Sequence, residues 1–167
     1  RTVADVGYGD IGRNSARRLL AADMRVIAYD PYVEASSLED GVSLAAWPEQ
    51  VQAADFVVVN CALTPSSHHL LNAEAFAAMK PGVRVVNVGR GPVIDEQALI
   101  AALASGRVHS AALDVFEQEP LPADSPLRTH PSCIFGSHNA SNTVDGVERT
   151  SHKAIQLLAG FLQEAKA

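Results

Sequence analysis

A doubly wound α/β fold, with a mostly parallel sheet and helices on both faces, follows from three features of the sequence. Short apolar runs rich in β-branched residues alternate with stretches of helical pattern, the order expected of repeated βαβ units. A complete G-x-G-x-x-G turn stands between the first such run and the first helix. The 167 residues, 47% apolar and 19% charged, suffice for one globular domain with a substantial core and contain no internal repeat or low-complexity tract.

Taken in order, Thr2-Val3-Ala4-Asp5-Val6 reads as a strand and Gly7-Tyr8-Gly9-Asp10-Ile11-Gly12 as the glycine turn. Gly7 permits the tight turn, Gly9 lets the backbone approach a pyrophosphate, and Gly12 lets helix and strand pack closely. Arg13 to Ala22 continues as a helix, and the free N–H groups at its start face phosphate charge. Met24 to Tyr29 is the second strand, closed by Asp30, which lies 18 residues beyond Gly12. An acid there accepts hydrogen bonds from an adenosine ribose and repels a 2′-phosphate, so a Rossmann-type domain preferring NAD to NADP is expected. Asp5 breaks the pattern, because a buried parallel strand favours apolar residues. Two readings stand for it: a bond at the strand's edge, or an anomaly of this sequence.

Pro31 stops the second strand, and Tyr32 to Asp40 is a polar connection with a short helical turn. Val42-Ser43-Leu44 is a brief third strand, and Trp47 to Ala53 reads as a helix begun by Pro48. Asp55 to Val59 is a buried strand, followed by a loop from Asn60 to Ser67. Ala73 to Met79 is a helix ended by Lys80-Pro81-Gly82, Val83 to Val88 the next strand, and Asp95 to Ser105 a helix stopped by Gly106. Val108 to Leu113 is a strand, Phe116 to Pro131 a Pro-rich loop, and Cys133-Ile134-Phe135 a last short strand. Thr143 to Glu164 forms an amphipathic helix with Val147, Ile155, Leu158 and Leu162 among its apolar positions.

The net charge of −6 and the lack of a Lys/Arg run argue against a nucleic-acid or anionic-membrane surface. No apolar run is long enough to span a bilayer. Cys61 and Cys133 fit no metal spacing and need no disulfide, which suits a reducing, cytoplasmic setting with no metal site. The chain opens at Arg1, one residue ahead of a core strand, so a fragment of a longer protein is expected.

In an open parallel sheet, ligands sit outside the carboxyl ends of the strands. The loops at 60–64, 88–91, 114–119 and 136–141 all pass that filter. Arg90 stands between Gly89 and Gly91, which leave its guanidinium uncovered, and its planar fork suits a carboxylate. Glu119 precedes Pro120 in the Pro-stiffened loop, and His138 follows the last strand. A histidine with a nearby carboxylate is held in one tautomer and exchanges a proton near neutral pH. Beside a dinucleotide and an arginine it becomes the acid–base partner of a hydride transfer. Asp114, ending a strand, is placed to hold a nicotinamide carboxamide.

Three stretches, Gly7–Gly12, Asn87–Glu96 and Ala112–Pro122, resemble the D-isomer-specific 2-hydroxyacid dehydrogenases, and the likeness covers essentially the whole chain. It implies a substrate-binding Arg90, a carboxylate partner Glu119 and an acid–base His138. It also implies cofactor contacts from Ala62, Leu63 and Thr64, from Val88 and Gly89, and from Asp114 and Ala140. The cofactor set then comprises Gly7, Gly9, Asp10, Ile11, Gly12, Asp30, Pro31 and these residues, with Arg90 and His138 at the nicotinamide end. Three departures stand out: Ser137-His138-Asn139 where the family usually has Pro-His and small or apolar residues, Ala62 where it has Pro, and Gly89 where it has Ser. His68 and His69 read as structural or solvated.

The resemblance further implies a 2-hydroxy or 2-keto acid substrate and a homodimer formed through the nucleotide domain, with apolar segments around 92–104 contributing. The substrate domain of the family is absent from residues 1–167, so NAD binding with little turnover is expected of this chain alone. A second reading, an NAD(H)-responsive dimerising scaffold like the corepressors that share this fold, keeps the same three residues.

Overall fold

The computed structural model describes residues 1–164. Seven parallel strands form one sheet: β1 (Thr2–Val6), β2 (Arg25–Tyr29), β3 (Val42–Leu44), β4 (Phe56–Val59), β5 (Val83–Asn87), β6 (Val108–Leu113) and β7 (Cys133–Phe135). Their order is β3-β2-β1-β4-β5-β6-β7. The chain thus reverses its direction of travel across the sheet between β1 and β4, the switch point at which doubly wound folds hold ligands.

Register decides which side chains share a face. Ala4 pairs with Ile27 and Val57, and Val57 with Val85, so these residues line one side of the sheet. On that side they pack with Phe76 of α2 (Ala73–Ala78) and Leu99 of α3 (Glu96–Ala104) in the main core. Asn72 caps α2 by accepting from the Ala75 N–H at 2.9 Å, and Asp95 caps α3 by accepting from the Ala98 N–H at 3.0 Å. The other face carries Val26 and Ala28 against Ala16 of α1 (Asp10–Ala21), with Tyr8 fully buried beside them. Beyond β1 that second face bears half-buried Phe56, Val58 and Val86, with the Arg84 guanidinium 5.5 Å from the Phe56 ring centroid.

Two expectations need correction. The helix expected over Trp47–Ala53 is only a 3₁₀ turn at Val51–Ala53. Tyr29 Oη donates to the Glu49 carbonyl at 2.6 Å, taking an acceptor a helix would use, and Gln50 adopts a left-handed φ of 62°. The Val93, Ile94, Leu99 and Leu103 side chains of the 92–104 segment are buried in the chain's own core, not available to a partner. The last helix, α4 (Val144–Glu164), forms as expected. Its Ile155, Leu158 and Leu162 are exposed among the described residues. No helix among those residues is long and apolar enough to cross a membrane.

Candidate active site

The glycine turn begins at Gly7, whose φ of +99° suits only glycine, and a Cβ there would lie 2.5 Å from the Cys61 backbone. A Cβ on Gly12 would lie 2.1 Å from the Gly7 carbonyl oxygen, so only glycine lets α1 start this close to β1. Gly9 differs: nothing lies within 4 Å of its added Cβ, and no side chain caps α1 from that position. Open space therefore fronts the uncapped N–H groups of Asp10, Ile11 and Gly12, an arrangement that fits a dinucleotide pyrophosphate. Asp30 closes the far side. Its carboxylate accepts from the Tyr8 N–H at 2.9 Å and the Tyr32 N–H at 3.0 Å, with Pro31 exposed beside it.

Asp5 lies at the centre of the sheet, not at an edge, since β1 is flanked by β2 and β4. It is completely buried, and Asn60 Nδ2 donates to its Oδ1 at 2.7 Å. Burial pushes the carboxyl up to about 7, only partly offset by that bond.

Arg90 is set by a residue the sequence reading passed over. Asn87, buried at the end of β5, accepts from the Gly89 N–H at 3.0 Å and donates to the Arg90 carbonyl at 3.1 Å. A polar side chain ending a buried strand just ahead of Gly-Arg-Gly is the signal that identifies it. Arg90 itself is exposed, and its Nη1 donates to the Gly89 carbonyl at 2.8 Å. Gly91 admits no side chain at all: a Cβ would sit 1.8 Å from the Phe116 carbonyl oxygen. The arginine turn and the segment leading to Glu119 are thus in backbone contact. The loop after β4 packs as closely, with a Gly89 Cβ 2.8 Å from the Cys61 carbonyl oxygen and Val88 N–H bonded to Val59 at 3.2 Å. Ser67 Oγ donates to the Ala62 carbonyl at 2.7 Å and accepts from the Thr64 N–H at 2.8 Å, leaving Leu63 exposed.

Glu119 and His138, 19 residues apart, meet at 2.7 Å between Oε2 and Nδ1. The other Glu119 oxygen accepts from the Phe116 N–H at 3.0 Å. His138, the Phe116 N–H and the positive charges of His138 and Arg90 together hold the Glu119 carboxyl below the usual carboxylate range. His138 has a left-handed φ of 57°, unusual for a side chain of its size. Asp114 imposes that conformation. Its carboxylate accepts from the N–H groups of Asn139 at 3.2 Å and Ala140 at 3.0 Å, and its carbonyl accepts from the His138 N–H at 2.8 Å. Both oxygens of Asp114 are engaged in shaping the histidine loop. A cavity of about 370 Å³ adjoins the pair, lined also by Phe116, Arg128 and Phe135. With Nδ1 engaged by Glu119, the imidazole presents Nε2 for proton exchange. His68 and His69 stack with ring centroids 3.9 Å apart, and His69 Nε2 bonds Glu117.

Residues 1–140 match the model of the D-isomer specific 2-hydroxyacid dehydrogenase NAD-binding domain. The chain belongs to that family. It is 40% identical over 164 residues to D-3-phosphoglycerate dehydrogenase 2, chloroplastic, of Arabidopsis thaliana, covering 98% of this chain and 26% of the relative. It is 43% identical over 165 residues to glyoxylate/hydroxypyruvate reductase B of Citrobacter koseri, covering 98% of this chain and 51% of the relative. The D-lactate dehydrogenase of Aquifex aeolicus, crystallised with NAD and lactic acid, superposes with a TM-score of 0.84 at 28% identity, over 98% of this chain and 54% of that one. The chain therefore spans about a quarter to a half of the relatives it matches. It is an NAD-binding domain of this family, and its Rossmann-type fold is the one these dehydrogenases share. The scaffold reading gains no support from these relatives.

Proposed function

We propose that residues 1–167 form the nucleotide-binding domain of an NAD-dependent enzyme that interconverts a D-2-hydroxy acid and its 2-keto acid. The Glu119–His138 pair at the carboxyl edge of the sheet, with the Arg90 charge acting on Glu119, is the observation that carries this reading. Gly7, Gly9, Asp10, Ile11 and Gly12, with Asp30 and Pro31, would hold the adenosine half of NAD. Ala62, Leu63, Thr64, Val88, Gly89, Asp114 and Ala140 would border its nicotinamide half. When bound, the nicotinamide supplies or accepts the hydride at substrate C2.

The chain's own residues do the rest. Arg90 binds the substrate carboxylate through its fork of N–H donors and draws electron density from the adjacent carbonyl. His138 donates a proton from Nε2 to the carbonyl oxygen during reduction and takes it back during oxidation. Glu119 keeps the imidazole oriented through its bond to Nδ1. A second, substrate-binding domain elsewhere in the parent protein excludes water from the cleft, so this chain alone binds NAD with little turnover. The share of the relatives' length that it spans supports that division.

The parent is a homodimer, for which the half-covered sheet face and the exposed apolar side of α4 are the candidate surfaces. It works in a reducing compartment such as the cytoplasm, consistent with two free cysteines.

The test is steady-state kinetics of the full-length parent with NADH and a panel of 2-keto acids. His138→Ala is expected to lower kcat/KM by about 10²- to 10⁴-fold. If neither that change nor Arg90→Ala lowers it more than about tenfold, roughly 1.4 kcal/mol of barrier, the assignment is wrong.

A further inference from the structure

Asp5 is a buried carboxyl that the proposed mechanism does not use. It has 0% exposure in the middle of β1, and its Oδ2 has no hydrogen-bond partner. Asn60, which follows β4, donates to its Oδ1, yet Asn60 Oδ1 is also buried and unpartnered. While the acid is ionised, both orphaned atoms are acceptors and neither can satisfy the other. One proton on Asp5 Oδ2 changes that. The acid would then have a donor to offer the amide oxygen while the amide donates to the acid, the pattern of a two-bond acid–amide ring.

The pair lies directly under the glycine turn. A Cβ on Gly12 would come within 3.3 Å of Asp5 Oδ2, which puts the carboxyl behind the first turn of α1. That turn carries the uncapped N–H groups that face a phosphate. An ionised Asp5 would compete for their positive field from behind and repel an anion in front. Among the described residues no cationic side chain offsets its charge. By register β2 faces it with Ala28 and β4 with Val58, while α1 faces it with Gly12. The ionisable residues of α1 are engaged or exposed elsewhere: Arg13 bonds Ser37, Arg17 pairs with Glu39, Arg18 bonds the Asn14 carbonyl, and Asp10 is exposed. Tyr8 lies buried on the α1 side, and its Oη accepts from the Glu39 N–H at 3.4 Å. Asp30 beside the turn is an acid, as is Asp55 ahead of β4, whose carboxylate is tied to Thr2 and Lys80.

We propose that Asp5 is a positioning residue of the dinucleotide cradle, and that its carboxyl, paired with Asn60, carries a proton whenever the glycine turn holds an anionic pyrophosphate. Burial, which drives this acid up to about 7, places the change within the physiological range. By linkage, whatever favours the protonated acid favours the bound dinucleotide, and the reverse. The inference rests on the reading of the glycine turn as the NAD site.

The test is NAD affinity of the full chain by calorimetry from pH 5.5 to 8.5, with adenosine as a probe lacking phosphate. Wild type is expected to lose NAD affinity about tenfold as pH rises. Asp5→Asn, a permanently neutral mimic of the protonated acid, should hold its low-pH affinity throughout, and adenosine binding should stay flat in both. A wild-type NAD affinity without that slope, or the same slope in Asp5→Asn, overturns the proposal. The carbon-13 carboxyl shift of Asp5 supplies a measurement independent of the cofactor. A midpoint in the ordinary carboxylate range overturns the proposal. A near-neutral midpoint in a chain that binds no NAD at any pH overturns the dinucleotide reading instead.

Discussion

The buried carboxyl of Asp5 makes folding stability fall with rising pH. An acid at about 7 in the folded chain and at an ordinary 3.8 when unfolded differs by about 3 units. At 1.36 kcal/mol per unit that is about 4 kcal/mol. The folded state binds this proton more tightly, so the contribution is complete below about pH 4 and is lost as pH rises through about 7. About 3 kcal/mol of it disappears between pH 5 and pH 8, a large part of the 5–15 kcal/mol that holds a typical domain together. Asp5→Asn has no such proton. Wild type and variant share every other titrating group, so the difference between their unfolding free energies isolates Asp5. Urea unfolding at several pH values, read by the fluorescence of the single tryptophan, Trp47, measures that difference. It should shift by about 3 kcal/mol in favour of the variant from pH 5 to pH 8. A difference constant to within about 1 kcal/mol would refute the reasoning.

Other consequences follow from the same coordinates. Asp55, whose carboxylate bonds Lys80 at 2.7 Å and the Thr2 N–H at 2.9 Å, is held down at about 2. Its contribution is present above about pH 4 and is lost as pH falls toward 2, so Lys80→Met should raise the midpoint of acid unfolding followed by circular dichroism. Asp114→Ala removes two charge-assisted bonds to the His138 loop and should destabilise the domain by about 3 kcal/mol in urea titration. In the full-length parent it should also lower kcat more than it raises KM. Gly91→Ala drives a methyl group into the Phe116 carbonyl and should cost about 3 kcal/mol or more, seen as a fall in melting temperature, whereas Gly106→Ala is resisted only by a positive φ of 74°. Glu119→Gln should lower kcat/KM of the parent about tenfold or more while leaving the NAD dissociation constant unchanged.

The sheet was legible because its signals are local. The run Phe56–Val59 is apolar on both faces and Val83–Asn87 is rich in valine, as suits strands of a parallel sheet, and the observed strands follow them closely. The Trp47–Ala53 segment misled because a tertiary bond, Tyr29 to Glu49, decided its conformation, and no window of sequence contains both residues. The site divides in the same way. The glycine turn and Asp30 are read from spacing, since one βαβ unit fixes their geometry. Glu119 and His138 lie on separate loops; the rule that ligands sit beyond the carboxyl ends of strands grouped those loops, family resemblance reinforced the pairing, and the fold places the two side chains 2.7 Å apart. Asp5 was visible as an oddity in an apolar strand. Its meaning needed Asn60, 55 residues away and on the neighbouring strand's exit.

Asp30 illustrates how one side chain can serve two masters. Its carboxylate holds Tyr8 and Tyr32 by their amide hydrogens, so the acid proposed to meet the ribose also fixes the bend around itself. In the proposed reading the same negative charge would select against a phosphorylated ribose. An engineer seeking to convert this domain to NADP by removing that acid would also unfasten the bend it secures. Tolerance for the bulkier nucleotide would have to be designed together with a new anchor for those two amides.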